Sequence, residues 1–93
     1  MGSNAIITFK IMPNSPDVDF DAVAAKCEDI AKENGAKGDT RVELVPLAFG
    51  LKEIKVLAMY EMTDDSFDPV AEKMAQVEGV SSAEVYKMDL AMG

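Results

Sequence analysis

The chain has 93 residues, enough for one domain with one modest core, and its 48% hydrophobic and 28% charged content is that of a globular protein, which excludes disorder. Seventeen acidic residues against nine basic ones give a net charge of −8, a surface that repels phosphate backbones and anionic lipid and suits a partner with a basic patch. No apolar run approaches the roughly 20 residues of a membrane span, and no signal-peptide pattern opens the chain.

Met1-Gly2 invites comparison with a myristoylation signal, but Ile6 stands where that motif wants Ser or Thr. Met1 to Asn4 reads in part as an expression remnant. The single cysteine, Cys27, rules out an internal disulfide and fits a reducing, cytoplasmic location.

Ala5 to Met12 comes first, with Ile7, Phe9 and Ile11 alternating against Ile6, Thr8 and Lys10, the period of a half-buried strand. Pro13 ends it, and Asn14-Ser15-Pro16 forms a loop. Asp19 then caps a helix, with Val18 and Val23 spaced as a hydrophobic staple and Asp21 in the favourable first turn. Phe20, Val23, Ala24, Cys27, Ile30 and Ala31 make one apolar stripe, and Gly35 stops it. On this stripe Cys27 faces inward as a small hydrophobe, since no His or second Cys exists to activate it or share a metal.

Ala36 to Asp39 reads as a short connection and Thr40 to Leu47 as a strand, with Pro46 marking it as an edge. A corner follows at Leu47-Ala48-Phe49-Gly50, where polar turn formers such as Asn-Gly are usual. Gly50 supplies freedom to turn. Phe49 has two readings: it folds back and plugs the end of the core, or it is an apolar knob offered to a partner.

Lys52 to Met62 is the longest strand. Ile54, Val56, Ala58 and Tyr60 form one face, and Glu53, Lys55, Leu57, Met59 and Glu61 form a second, open but partly apolar. Thr63 to Ser66 is a turn. A second helix starts near Ser66 or Asp68, with Pro69 in its first turn, Phe67, Val70, Ala71, Met74 and Val77 as its stripe and Gly79 as its stop. Val80 to Leu90 reads as a last strand whose weak alternation assigns no faces.

Strand, helix, strand, strand, helix, strand, with the middle strands as a hairpin, predicts an α+β, ferredoxin-like sandwich. This is a four-stranded antiparallel sheet in the order 4-1-3-2 with both helices on one face. Such a fold serves many functions and decides none.

Catalytic signals are missing. There is no histidine, no Cys pair, no G-x-S-x-G, no P-loop and no dinucleotide fingerprint. Asp17, Asp19 and Asp21 match a calcium loop for three positions only, and helix capping explains them better. No covalent catalysis, cofactor or bound metal is expected.

A resemblance narrows the function. Pro46-Leu47-Ala48-Phe49-Gly50-Leu51-Lys52-Glu53-Ile54-Lys55 resembles the Pro-x-(Gly/Ala)-(Phe/Tyr)-Gly-(Ile/Leu)-Lys stretch of the guanine nucleotide exchange domain of translation elongation factor 1-beta. Met12-Pro13 with Ser15-Pro16-Asp17-Val18-Asp19, and Val77-Glu78-Gly79-Val80-Ser81, resemble its archaeal members. The match runs from about Ile6 to Met88, so residues 1–93 are expected to form a single exchange domain of the stand-alone archaeal length.

The resemblance implies a guanine nucleotide exchange factor for translation elongation. It would bind elongation factor 1-alpha in its GDP form and speed GDP release, so that GTP enters. It implies that Phe49 inserts into a pocket of that GTPase, with Gly50 shaping the loop. Lys52 falls on a basic motif position and would meet acidic surface of the partner, its alternative being a solvated strand-end lysine. Eukaryotic relatives place a penultimate lysine toward the partner's magnesium, whereas this chain ends Asp89-Leu90-Ala91-Met92-Gly93. Either Lys87 or another group then perturbs that metal, or exchange depends mainly on Phe49.

Three rivals are weighed against this. An ACT-like regulatory module binding a small molecule is the alternative reading. An acylphosphatase-like enzyme would need an arginine in the loop after the first strand, and the sole arginine is Arg41. RNA recognition on the open sheet would want stacked aromatics and positive charge. No direct nucleic-acid or membrane contact is expected.

Overall fold

The computed structural model describes residues 4–61 and 66–91, except for the side chains of Asp39, Leu90 and Ala91. The turn expected at Thr63–Asp65, with Met62 before it, lies outside the described residues. The elements run β1 (Asn4–Pro13), α1 (Phe20–Glu33), β2 (Lys37–Pro46), a 3₁₀ turn (Ala48–Gly50), β3 (Lys52–Glu61), α2 (Asp68–Ala75) and β4 (Val80–Ala91). The strands form one sheet in the order β2-β3-β1-β4, and every pairing is antiparallel. This is the predicted ferredoxin-like topology, with β2 at an edge where Pro46 leaves no ladder donor missing.

The core lies between the sheet and its two helices. Ile7, Phe9 and Ile11 of β1 and Ile54, Val56 and Ala58 of β3 are buried by their strand alternation. They meet Val23, Ala24, Cys27 and Ala31 of α1 and Val70, Ala71 and Met74 of α2. Each fully buried large side chain contributes about 1.5–3 kcal/mol. Tyr60 is buried too, its ring edge-on to Phe9 with centroids 6.3 Å apart. Its hydroxyl donates to the Ala31 carbonyl at 3.1 Å, so the one polar atom it brings inside is satisfied.

Helix α1 begins where its sequence says. The Asp19 carboxylate accepts from the Ala22 N–H at 3.1 Å, and Gly35 at φ 105° turns the chain out of the helix. Three boundaries differ from expectation. Pro13 closes β1 from inside the strand, paired with Val80 of β4. Helix α2 starts at Asp68, one of its two expected positions, but ends at Ala75, before the expected stop at Gly79. Strand β2 starts at Lys37, because a register shift between Lys37 and Arg41 absorbs residues that locally read as a loop.

The weak alternation of β4 has a cause. Thr8 pairs with Lys87 but Phe9 pairs with Val85, so Tyr86 is an extra residue that reverses the inward–outward phase of the strand. Ala83 and Val85 lean on the core, and Tyr86 lies on the open face beneath the Lys10 and Lys55 ammonium groups, 5.8 and 4.8 Å from its ring centroid.

Candidate docking corner

The β2–β3 hairpin narrows to a tip that its own backbone closes. The Leu47 N–H donates to the Leu51 carbonyl at 2.7 Å, and the Leu51 N–H donates to the Ala48 carbonyl at 3.3 Å. Between them Phe49 stands at φ 62°, ψ 31° and Gly50 at φ 79°. The Phe49 side chain is 93% exposed and Leu47 beside it is 40% exposed. Of the two readings of Phe49, the core plug is overturned: Ile11 and Ile54 at this end of the sheet are fully buried without it, and the ring projects into solvent as an apolar knob.

The corner does not stand free of the rest of the molecule. Antiparallel pairing puts the start of β3 beside the end of β1, so the tip lies against the β1–α1 loop. A Cβ placed on Gly50 would sit 3.5 Å from the Pro16 Cβ. Lys52, predicted from the motif, points its ammonium at the Phe20 ring, 5.6 Å from the centroid. That loop is fastened in turn, since the Asn14 N–H donates to the Gly79 carbonyl at 2.9 Å and Val18 and Val23 both crowd Gly79.

Phe49, Gly50 and Lys52 are therefore gathered at one end of the sheet. Lys87 is not. It pairs with Thr8, which is level with Leu57, five residues along β3 from Lys52 and so about 17 Å away along the strands. There it forms an ion pair with Asp89 at 3.5 Å and lines a basin of ≈ 560 Å³ on the open sheet face with Thr8, Lys55 and Tyr86.

Reading the residues alone placed Leu47 in the corner but gave it no part in docking, and it missed Pro16. Leu47 carries no local mark beyond its place beside Phe49. Pro16 lies 34 residues from Gly50 in sequence, and only the β1–β3 register brings them together.

Nucleophile chemistry has little to work with. Burial pushes the Cys27 thiol up to about 11, so it stays protonated and inert at neutral pH. Among the described residues no three metal-ligating side chains cluster, and no helix is long and apolar enough to cross a membrane.

Comparison with known proteins agrees with the family resemblance. The EF-1 guanine nucleotide exchange domain matches residues 6–90. The chain is 36% identical over 88 residues to elongation factor 1-beta of Methanococcus maripaludis, covering 95% of this chain and 98% of the relative. It is 36% identical over 90 residues to the protein of the same name from Methanosphaerula palustris, covering 97% and 99%. With that of Pyrococcus horikoshii it shares 39% over 83 residues, covering 88% and 89%. The chain belongs to the EF-1 guanine nucleotide exchange domain family, whose role is nucleotide exchange in translation elongation.

Proposed function

We propose that this protein binds elongation factor 1-alpha, in both its GDP-bound and nucleotide-free forms, and speeds GDP release so that GTP can rebind. The observation that carries this reading is a phenylalanine held 93% exposed at a hairpin tip, within the stretch that resembles the family's motif and inside the matched residues 6–90. No covalent step is needed. A protein that binds the nucleotide-free GTPase better than the GDP-bound form lowers nucleotide affinity by the same factor. Phe49 serves as the buried anchor in the partner, Gly50 sets the turn behind it, and Lys52 lies at the rim. Lys87, far from the corner, contacts the partner only if the interface extends along the open sheet face.

The same reading places the protein in the cytoplasm as one exchange domain over residues 1–93. It also gives the protein no direct contact with nucleic acid or membrane. A net charge of −8 supports this, as does an open sheet face whose one aromatic among the described residues, Tyr86, already lies beneath two lysines.

The test is release of a fluorescent GDP analogue from the cognate elongation factor 1-alpha. Acceleration by the native chain and loss of it in Phe49→Ala support both function and site. Equal acceleration by both removes Phe49 from the site, and none by either removes the function.

A further inference from the structure

The corner carries the wrong residue for its backbone. A hairpin turn with positive φ at both central residues is of the primed type I′. Its first central position favours Asn or Asp, whose short polar side chains tolerate the left-handed region. Here that position is Phe49, at φ 62° and ψ 31°, followed by Gly50 at φ 79°. Among the described residues Phe49 is the one non-glycine with positive φ. Packing does not explain it, because the ring touches little of its own protein.

A strained residue persists only where its surroundings over-determine it. Two constraints are visible. The Leu47–Leu51 hydrogen bond clamps the base of the turn, and Pro16 of the β1–α1 loop flanks Gly50, its Cβ 3.5 Å from where a Gly50 Cβ would stand. Pro16 is itself stiff, and its loop is tied down by Asn14 to Gly79 and by the Asp17 N–H to the Ser15 hydroxyl at 3.1 Å.

We propose that the β2–β3 corner is a strained type I′ turn that presets Phe49 outward, and that Pro16 is the positioning residue that holds it there. The inference rests on the exchange-factor reading and adds how the anchor is made ready. A preset anchor spares the complex the cost of ordering a loop. A loosened turn is competent for only a fraction of the time, and apparent affinity for the partner falls by that fraction.

Thermal unfolding without any partner tests the strain. Phe49→Asn removes the ring and suits the turn, so its Tm rises by roughly 4 °C, on the scaling for a chain of this size. Phe49→Ala removes the ring but keeps a side chain ill-suited to positive φ, so its Tm stays within about 1 °C of the native value. Equal melting of the two variants overturns the strain.

Titrating the protein against the GTPase loaded with a fluorescent GDP analogue tests Pro16. For Pro16→Gly, the concentration giving half-maximal release rises about threefold or more, while the rate at saturation stays within about twofold because the bound partner re-forms the turn. Pro16→Ala, the milder change, shows the same effect at smaller size. An unchanged half-maximal concentration in both variants overturns the positioning role. If the native chain releases no GDP, the exchange reading and the role of Pro16 fall together, while the melting comparison still decides the strain.

Discussion

Phe9 and Phe49 are the same residue put to opposite uses. Phe9 sits mid-strand in β1, fully buried and edge-on to Tyr60. Phe49 sits at the tip of the adjoining hairpin, almost fully exposed on a backbone that aromatic residues avoid. The first contributes by leaving water during folding, the second by staying in water until a partner arrives. Stability and function are thus assigned to different ends of one sheet, and substitutions should separate them.

The largest effect falls on the buried side. Phe9→Ala is expected to cost about 3–5 kcal/mol, by lost burial plus a cavity the sheet cannot close. Urea unfolding measures it, and the exchange activity of the remaining folded fraction should be unchanged. A loss below about 1 kcal/mol would mean that the core is less tightly packed than its burial implies.

Phe49→Ala reverses the pattern. Stability should move by less than about 0.5 kcal/mol, as for other exposed sites. A buried aromatic anchor is worth about 2 kcal/mol at an interface, so GDP release should slow by roughly thirtyfold. An unaltered release rate would end the comparison.

Asp19→Ala sharpens it from nearby. Losing the 3.1 Å cap on the Ala22 N–H should cost about 1 kcal/mol of stability. Exchange measured well below the melting temperature should stay within about twofold, although Asp19 lies on the loop beside the corner. A parallel fall in exchange would show that the cap, and not Pro16 alone, sets the geometry of the turn.

Alkaline titration reads only the buried side. Burial raises Cys27 from 9.0 to about 11 and Tyr60 from 10.0 to about 12. The folded state therefore holds these protons longer than the unfolded chain does. Their contribution is complete below pH 9 and is lost as pH climbs through about 11 to 12. Unfolding midpoints followed across that window should fall, and a Cys27→Ala variant should fall less.

Lys87→Ala is the smallest expected change. Its ion pair with Asp89 is exposed, and such pairs contribute under about 1 kcal/mol. Exchange should stay within about twofold if the corner suffices. A tenfold loss would extend the interface onto the open sheet face.

Much of this molecule was legible before its structure. The alternation of Ile7, Phe9 and Ile11, the Asp19 cap, the Gly35 stop and the stripe from Val70 to Met74 are local patterns, and each formed as read. Strand order followed from element order and Pro46, and the family was readable in the stretch around Phe49 and Gly50. Local reading went wrong, or assigned nothing, where a residue's partner is distant. The start of β2 at Lys37 and the phase reversal at Tyr86 depend on how two strands line up, which no single strand specifies.

The direction of Phe49 belongs to the same class. Its neighbours in sequence allow either a plug or a knob, because an apolar side chain by itself prefers burial wherever burial is offered. Tertiary structure withdrew the offer: Ile11 and Ile54 are already fully buried at that end of the sheet, and Pro16, 34 residues away, flanks Gly50 at the turn. Composition and periodicity determined which faces would be dry. Only the register of β1 against β3 decided which phenylalanine would stay wet, since that register alone brings the first loop against the corner.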